Sequence, residues 1–158
     1  MATAHINIGS NIGDRHAAIS MAVAAIEAHF GVKARVSDPV VSPPWGFESS
    51  NEFVNVGVNV DVGELDPLDL LSVLLELQQS ISPAPHRDHA GGYIDRVIDI
   101  DLIAVGEAIV SSPELELPHP RMAQRLFVLR PMAQIWPEWH HPRSGLTPSE
   151  LIDALRRE

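Results

Sequence analysis

The 158-residue sequence predicts an α+β fold built on an antiparallel sheet, and three observations carry that expectation. From Phe53 to Val62 a valine occupies every second position, the period-two pattern of a strand with one buried face. Runs of this kind alternate with two segments of helical period that open on aspartate N-caps, in the order β-α-β-β-α-β. No linker, repeat or low-complexity tract divides the chain. With 45% hydrophobic and 20% charged residues, it is expected to be a single domain over residues 1–158.

The elements follow in order. His5 to Ile8 is a short strand, ended by the turn Gly9-Ser10-Asn11-Ile12-Gly13-Asp14, which lacks both the dinucleotide fingerprint and a P-loop lysine. Asp14 caps a helix whose inner face is Ile19, Ala22, Val23, Ile26 and Phe30, and Gly31 stops it. Val32 to Val36 is a second strand, and Val40 to Ser42 an extended piece before a Pro/Gly/aromatic loop that reaches Asn51. In the Phe53–Val62 strand the valines face the core, with Phe53, Asn55, Gly57, Asn59 and Asp61 opposite. Asp66 and Pro67 open a second helix with Leu71, Leu74, Leu75 and Gln78 on one face, and it gives way at Ser82 to Pro85. A polar loop, His86 to Gly92, leads to a strand from Arg96 to Val105. Ala108 to Val110 is a further short strand, Met122 to Gln134 a helical run interrupted by Pro131, and Thr147-Pro148-Ser149-Glu150 a capping box opening a last helix from Leu151 to Arg157. This order is that of a ferredoxin-like βαββαβ core with extra C-terminal elements.

Composition narrows the function classes. There are no cysteines, hence no disulfide framework and no thiolate ligand or nucleophile. No apolar run approaches the roughly 20 residues of a membrane helix, and nothing near Met1 reads as a secretory signal, so a soluble cytoplasmic protein is expected. A net charge of −10 argues against nucleic-acid binding. The basic residues are ten arginines and one lysine, and five of the arginines (87, 96, 121, 125 and 130) fall between positions 87 and 130. Arginine suits forked contacts with phosphate or carboxylate.

Within that segment, Asp99 and Asp101 project from one face of an otherwise apolar strand, with Ile98, Ile100 and Leu102 on the other. Two carboxylates that close repel one another and call for solvent, a basic partner or cations. Their place inside an apolar strand favours cations. On the earlier strand, Phe53 beside Asn55 sets an aromatic next to an amide, a pairing that suits a flat heterocycle as well as a solvated strand face.

These residues, with their neighbours, resemble the 6-hydroxymethyl-7,8-dihydropterin pyrophosphokinase family of folate biosynthesis. The matches are Ile8-Gly9-Ser10-Asn11 with Gly13-Asp14-Arg15, Ser42-Pro43-Pro44-Trp45-Gly46 with Phe53-Val54-Asn55, Arg96-Val97-Ile98-Asp99-Ile100-Asp101, and Pro118-His119-Pro120-Arg121 with Arg125-Leu126-Phe127. They occur in the family's order and spacing up to about residue 137. The resemblance implies an enzyme that moves the pyrophosphoryl group of ATP to the pterin's hydroxymethyl oxygen and releases AMP. It implies that Asp99 and Asp101 hold two Mg2+ ions, and that Arg87 and Arg96 stabilise the transferred group. It further implies ATP contacts from Gln78, Tyr93, Leu102, His119 and Arg125. The pterin would meet Ser42, Pro43, Pro44, Trp45, Phe53, Asn55, Tyr93 and Phe127. The chain departs from the family pattern at Pro85-His86-Arg87-Asp88, where His86 is the alternative to Arg87, and at Gly92-Tyr93, where tyrosine replaces a tryptophan. A monomer without nucleic-acid or membrane partners is expected.

Two other functions fit part of the pattern. A metal-dependent phosphate-ester hydrolase would use the aspartates without a pterin, and a non-catalytic ferredoxin-like sensor would not need them. His5, His16 and His29 read as structural, as do Trp136 and Trp139.

Overall fold

The computed structural model describes residues 2–42, 52–82 and 97–157. Its main sheet is antiparallel at every pairing, with β1 (Ala2–Ser10) and β4 (Phe53–Gly63) at its centre. β5 (Asp99–Val105) flanks β1, while β2 (Arg35–Val36) and β3 (Val40–Ser42) both flank β4. The order β2-β4-β1-β5 is the split arrangement that a βαββαβ chain predicts.

One face of the sheet is the main core. Ile6, Ile8, Val54, Val56, Val58 and Val60 point there, together with Ile98, Ile100 and Leu102. Two helices cover it. α1 (Arg15–Phe30) is capped by the Asp14 carboxylate on Ala17 N–H at 3.0 Å and ends on Gly31, whose left-handed φ of 67° returns its N–H to Glu27. α2 (Pro67–Ile81) is capped by Asp66, with Pro67 at its first position. Its buried line is Leu70, Leu74 and Gln78, one residue from the expected face. Leu71 is half-buried and Leu75 is 52% exposed.

The other face is also covered, which corrects the solvated face considered for Asn55 and its neighbours. α3 (Leu126–Ile135) lies across it, and α4 (Pro148–Arg156) packs behind α3. Ile103 and Ala104 of β5 join Met122, Val128, Leu129, Met132, Trp139 and Leu151 in a second core. The close crossing of α3 over β4 requires Gly57, because a Cβ there would lie 2.7 Å from Pro131 Cβ and 2.8 Å from His5 Cε1. Two asparagines on this face hold α3 to the sheet. Asn7 Nδ2 donates to the Phe127 carbonyl at 2.9 Å, and Asn59 Nδ2 donates to that of Ile135 at 3.4 Å.

Several boundaries move. The first strand runs on through Ser10, so the turn starts at Asn11. The second strand keeps only Arg35 and Val36, because the chain after α1 is bound back to Glu27, whose carboxylate accepts Ala34 N–H at 2.8 Å. The short strand expected at Ala108–Val110 is instead β6 (Val110–Ser111), paired with β7 (Glu116–Leu117). The helical run from Met122 divides into a 3-10 turn, Met122–Gln124, and α3. Arg125 is extended between them. The capping box at Thr147 and Glu150 is present, and α4 starts at Pro148. Trp139 is buried and donates its indole N–H to the Gly106 carbonyl at 2.7 Å.

His5 is fully buried on the second face, with Nδ1 2.6 Å from Asn59 Oδ1. Asn59 turns its amide nitrogen to Ile135, so its oxygen faces the imidazole and Nδ1 carries the proton. Burial lowers the His5 pKa from 6.5 to about 4, against the opposing hydrogen bond to Asn59. The folded state therefore binds this proton less readily than the unfolded chain. Stability is whole above pH 6.5 and falls as pH drops from 6.5 towards 4. The loss attributable to His5 is about 3 kcal/mol over that window. His5→Gln should flatten this part of the curve in denaturant titrations performed at each pH.

Candidate active site

The expected residues fall in two groups joined by β1, with Asp99, Asp101, Asn55 and Phe53 on the second face of the sheet and Gln78 and Leu102 reaching the β5 edge from the first. Strand register sets the rows. Gly9 stands between Asn55 of β4 and Asp99 of β5, and Asn7 between Gly57 and Asp101. Neighbouring strands are about 4.8 Å apart, so the Asn55 and Asp99 backbones lie about 10 Å from each other across Gly9. Having no side chain, Gly9 leaves room for the Asn55 amide, whose Oδ1 lies over it.

The first group lies at the β5 edge. Asp99 and Asp101 are half-buried and line an open cleft of about 400 Å³ with Gln78, Leu102 and His119. The cleft wall also includes Leu71, Leu75, Leu115, Glu114 and Glu116, none of which was expected as a site residue. Leu71 and Leu75 share the expected helical face with Leu74 and Gln78, and the helical period by itself carries no signal that separates a ligand-facing wall from a buried face. Gln78 is nearly buried, and its side-chain oxygen accepts the backbone N–H of Ile100 at 2.6 Å. Since the partner is an N–H, the atom facing it must be the oxygen, and the amide –NH2 is what Gln78 can offer to the cleft. On the same strand edge, His119 N–H donates to the Ile103 carbonyl at 2.8 Å.

The His119 ring is held in one tautomer. Its Nδ1 accepts the Arg121 backbone N–H at 3.1 Å, which leaves Nε2–H as a donor. Burial lowers the His119 pKa and Asp101 opposes that shift, while Arg125 and Arg121 add to it and Glu116 opposes it. A neutral imidazole donor is the outcome at pH 7.

The second group lies at the β3–β4 end. Asn55 is buried and donates from Nδ2 to Ser42 Oγ at 2.9 Å, so its Oδ1 faces Gly9. Phe53 is buried beside it. Phe127, in the first turn of α3, is half-buried, and the Arg125 guanidinium lies 5.6 Å from its ring centroid. Arg125 is itself 3% exposed and close enough to His119 to lower its pKa, so it bridges the two groups. Pro43, Pro44, Trp45, Arg87, Tyr93 and Arg96 lie outside the described residues, as does the alternative His86.

Among the described residues there is no set of three or more His, Asp or Glu side chains arranged as a metal cage. Two carboxylates on one strand face, open to a cleft, suit a cation completed by ligand oxygens and water. No helix among the described residues is long and apolar enough to cross a membrane.

The family model described as 7,8-dihydro-6-hydroxymethylpterin-pyrophosphokinase matches residues 5–137. The chain is similar to the 2-amino-4-hydroxy-6-hydroxymethyldihydropteridine pyrophosphokinase of Porphyromonas gingivalis, with 38% identity over 145 residues that cover 91% of this chain and 97% of the relative. It is 36% identical to the Bacillus subtilis protein of the same name over 133 residues, covering 84% of this chain and 77% of that one. Among solved structures, the crystal structure of Plasmodium falciparum HPPK-DHPS superposes with a TM-score of 0.72 at 12% identity, which shows the fold alone. That match covers 97% of this chain and 44% of the longer one, so the chain spans less than half of that solved protein.

The close fit of the Asn55 amide over Gly9 can be tested directly. A Cβ at this position would lie 2.7 Å from Asn55 Oδ1 and 3.5 Å from Phe53. Gly9→Ala should displace the Asn55 amide from Ser42 and lower stability by about 1–3 kcal/mol. The readouts are the denaturant midpoint and the side-chain amide resonances of Asn55.

Proposed function

This chain belongs to the 7,8-dihydro-6-hydroxymethylpterin-pyrophosphokinase family, and we propose that it transfers the pyrophosphoryl group of ATP to 6-hydroxymethyl-7,8-dihydropterin. The observation that carries this reading is the pair of rows meeting at Gly9. An open acidic cleft of about 400 Å³ lies at the β5 edge on one side, and a buried amide with aromatic rings lies on the other, with Asp99, Asp101 and Asn55 sharing the second sheet face. The hydroxymethyl oxygen bonds to the β-phosphorus of ATP, the bond from that phosphorus to the α–β bridging oxygen breaks, and AMP leaves. The hydroxyl proton passes to solvent.

Asp99 and Asp101 fit Mg2+, two ions in the full reading, because magnesium takes one or two carboxylates and completes its shell with phosphate oxygens and water. When bound, Mg2+ supplies neutralisation of the charge that develops on the phosphate oxygens. The chain's own groups do the rest. His119 Nε2–H and the Arg125 guanidinium donate to phosphate oxygens, and the Gln78 amide and Leu102 contact the nucleotide. Arg96 and Arg87 stabilise the transferred group, with positioning and charge in place of a general base. Asn55 Oδ1 accepts from the pterin edge while Ser42 fixes its orientation. Phe53, Phe127 and Tyr93 offer faces to the ring, with the backbone from Ser42 to Trp45 beside it. In this reading residues 1–158 act as one monomeric domain in the cytoplasm. The net charge of −10 supports the absence of nucleic acid.

Incubation with ATP, Mg2+ and the pterin should give AMP and the pterin diphosphate by phosphorus NMR. Formation of ADP, or ATP breakdown that does not depend on the pterin, would overturn the reading. Asp101→Asn should lower kcat by about a hundredfold, within the several kcal/mol that metal-borne charge stabilisation supplies. EDTA should abolish turnover of the unmodified protein, and excess Mg2+ should restore it.

A further inference from the structure

Helix α3 carries Phe127 in its first turn, yet that turn is weakly held by the helix itself. Its N-cap residue, Arg125, makes no side-chain capping bond. Four residues after Phe127 stands Pro131, which has no N–H to give to the Phe127 carbonyl. Both features remove bonds that fix the start of a helix.

The missing donor comes from 120 residues away. Asn7 Nδ2 lies 2.9 Å from the Phe127 carbonyl oxygen, and Asn7 is 3% exposed, so water does not substitute readily for this bond. Asn7 is also the β1 residue in register with Asp101 on one side and Gly57 on the other. Gly57 receives Pro131, the residue that creates the vacancy at the carbonyl. One side chain thus ties the first turn of α3 to the row that bears Asp101.

We propose that Asn7 is a positioning residue for the Phe127 ring, holding the first turn of α3 in register with the aspartate strand so that the pterin is stacked at the correct offset from the nucleotide phosphates. This rests on the reading of the site as a pterin pyrophosphokinase. Asn7 need not touch either substrate. Its effect passes through the Phe127 backbone, so its removal acts first on pterin binding, while Asp99, Asp101, Gln78 and His119 lie outside α3.

The exchange between side-chain and helical donors supplies the test. Pro131→Ala keeps the Cβ that packs on Gly57 and adds the N–H that an uninterrupted helix would give to Phe127. Steady-state kinetics and direct pterin binding, with a non-hydrolysable ATP analogue and Mg2+, are measured for the unmodified protein, Asn7→Ala, Pro131→Ala and the double variant. The pterin KM and Kd should rise about tenfold in Asn7→Ala, the size expected when one buried carbonyl loses its donor, with the ATP KM and kcat within about twofold. The double variant should return to within about threefold of the unmodified protein, because the carbonyl again has a partner. An unchanged pterin KM in Asn7→Ala overturns the proposal, as does a double variant no better than Asn7→Ala. If Asn7→Ala does not fold, a folded double variant with unmodified pterin affinity supports the proposal, and one with weakened affinity overturns it. An unmodified protein that makes no AMP in the presence of the pterin refutes the functional reading instead, and that outcome is separable from either result for Asn7.

Discussion

The arrangement of this molecule depends on polar side chains buried on the second face of the sheet and satisfied there by a helix. A buried amide without a partner costs about 1–3 kcal/mol, so Asn7 and Asn59 must meet acceptors. Backbone carbonyls of α3 are those acceptors, at Phe127 and Ile135. His5 turns Asn59 the right way, and Gly57 lets Pro131 approach the strand. Apolar residues alone would bury the face but would not index the helix along it. Hydrogen bonds at both ends do.

The electrostatics of the site follow from that docking. With α3 fixed, Arg125 is buried between Phe127 and His119, and its charge stands near the end of the cleft that Asp99 and Asp101 line. His119 faces two acidic and two basic groups, but burial dominates and keeps the ring neutral. A neutral imidazole with one fixed N–H is a directional donor, which point charges such as lysine are not. The chain thus separates two tasks: the carboxylates supply negative charge for a cation, and the histidine and arginine supply donors for anionic oxygens.

Much of this was legible in the sequence where local chemistry decides the outcome. The alternating valines of β4, the aspartate caps at Asp14 and Asp66 and the capping box at Thr147 and Glu150 are short-range signals, and the structure bears each of them out. The common face of Asp99 and Asp101 needed only the alternation of a strand. Long-range effects were not legible. Nothing local says that α3 covers Asn55 and Asn59, so strand alternation alone favoured a solvated face over a ligand face. In Met122 to Gln134 the interruption marked in the sequence is Pro131, yet Pro131 lies inside α3 and the run divides at Arg125, where no local signal stands. Leu71 and Leu75 looked like core because helical period cannot tell the wall of a cleft from a buried face.

The outer edge of β5 has a consequence beyond ligand binding. A strand at the margin of a sheet offers unpaired N–H and C=O groups to any other chain, and such margins are where β-rich proteins associate edge to edge. Here the Ile100 N–H is taken by Gln78 and the Ile103 carbonyl by His119. Both residues also line the cleft. The side chain and backbone that shape the site therefore also occupy two of the bonding groups on that margin, so a substitution that loosens Gln78 frees an edge N–H as well as altering the cleft wall.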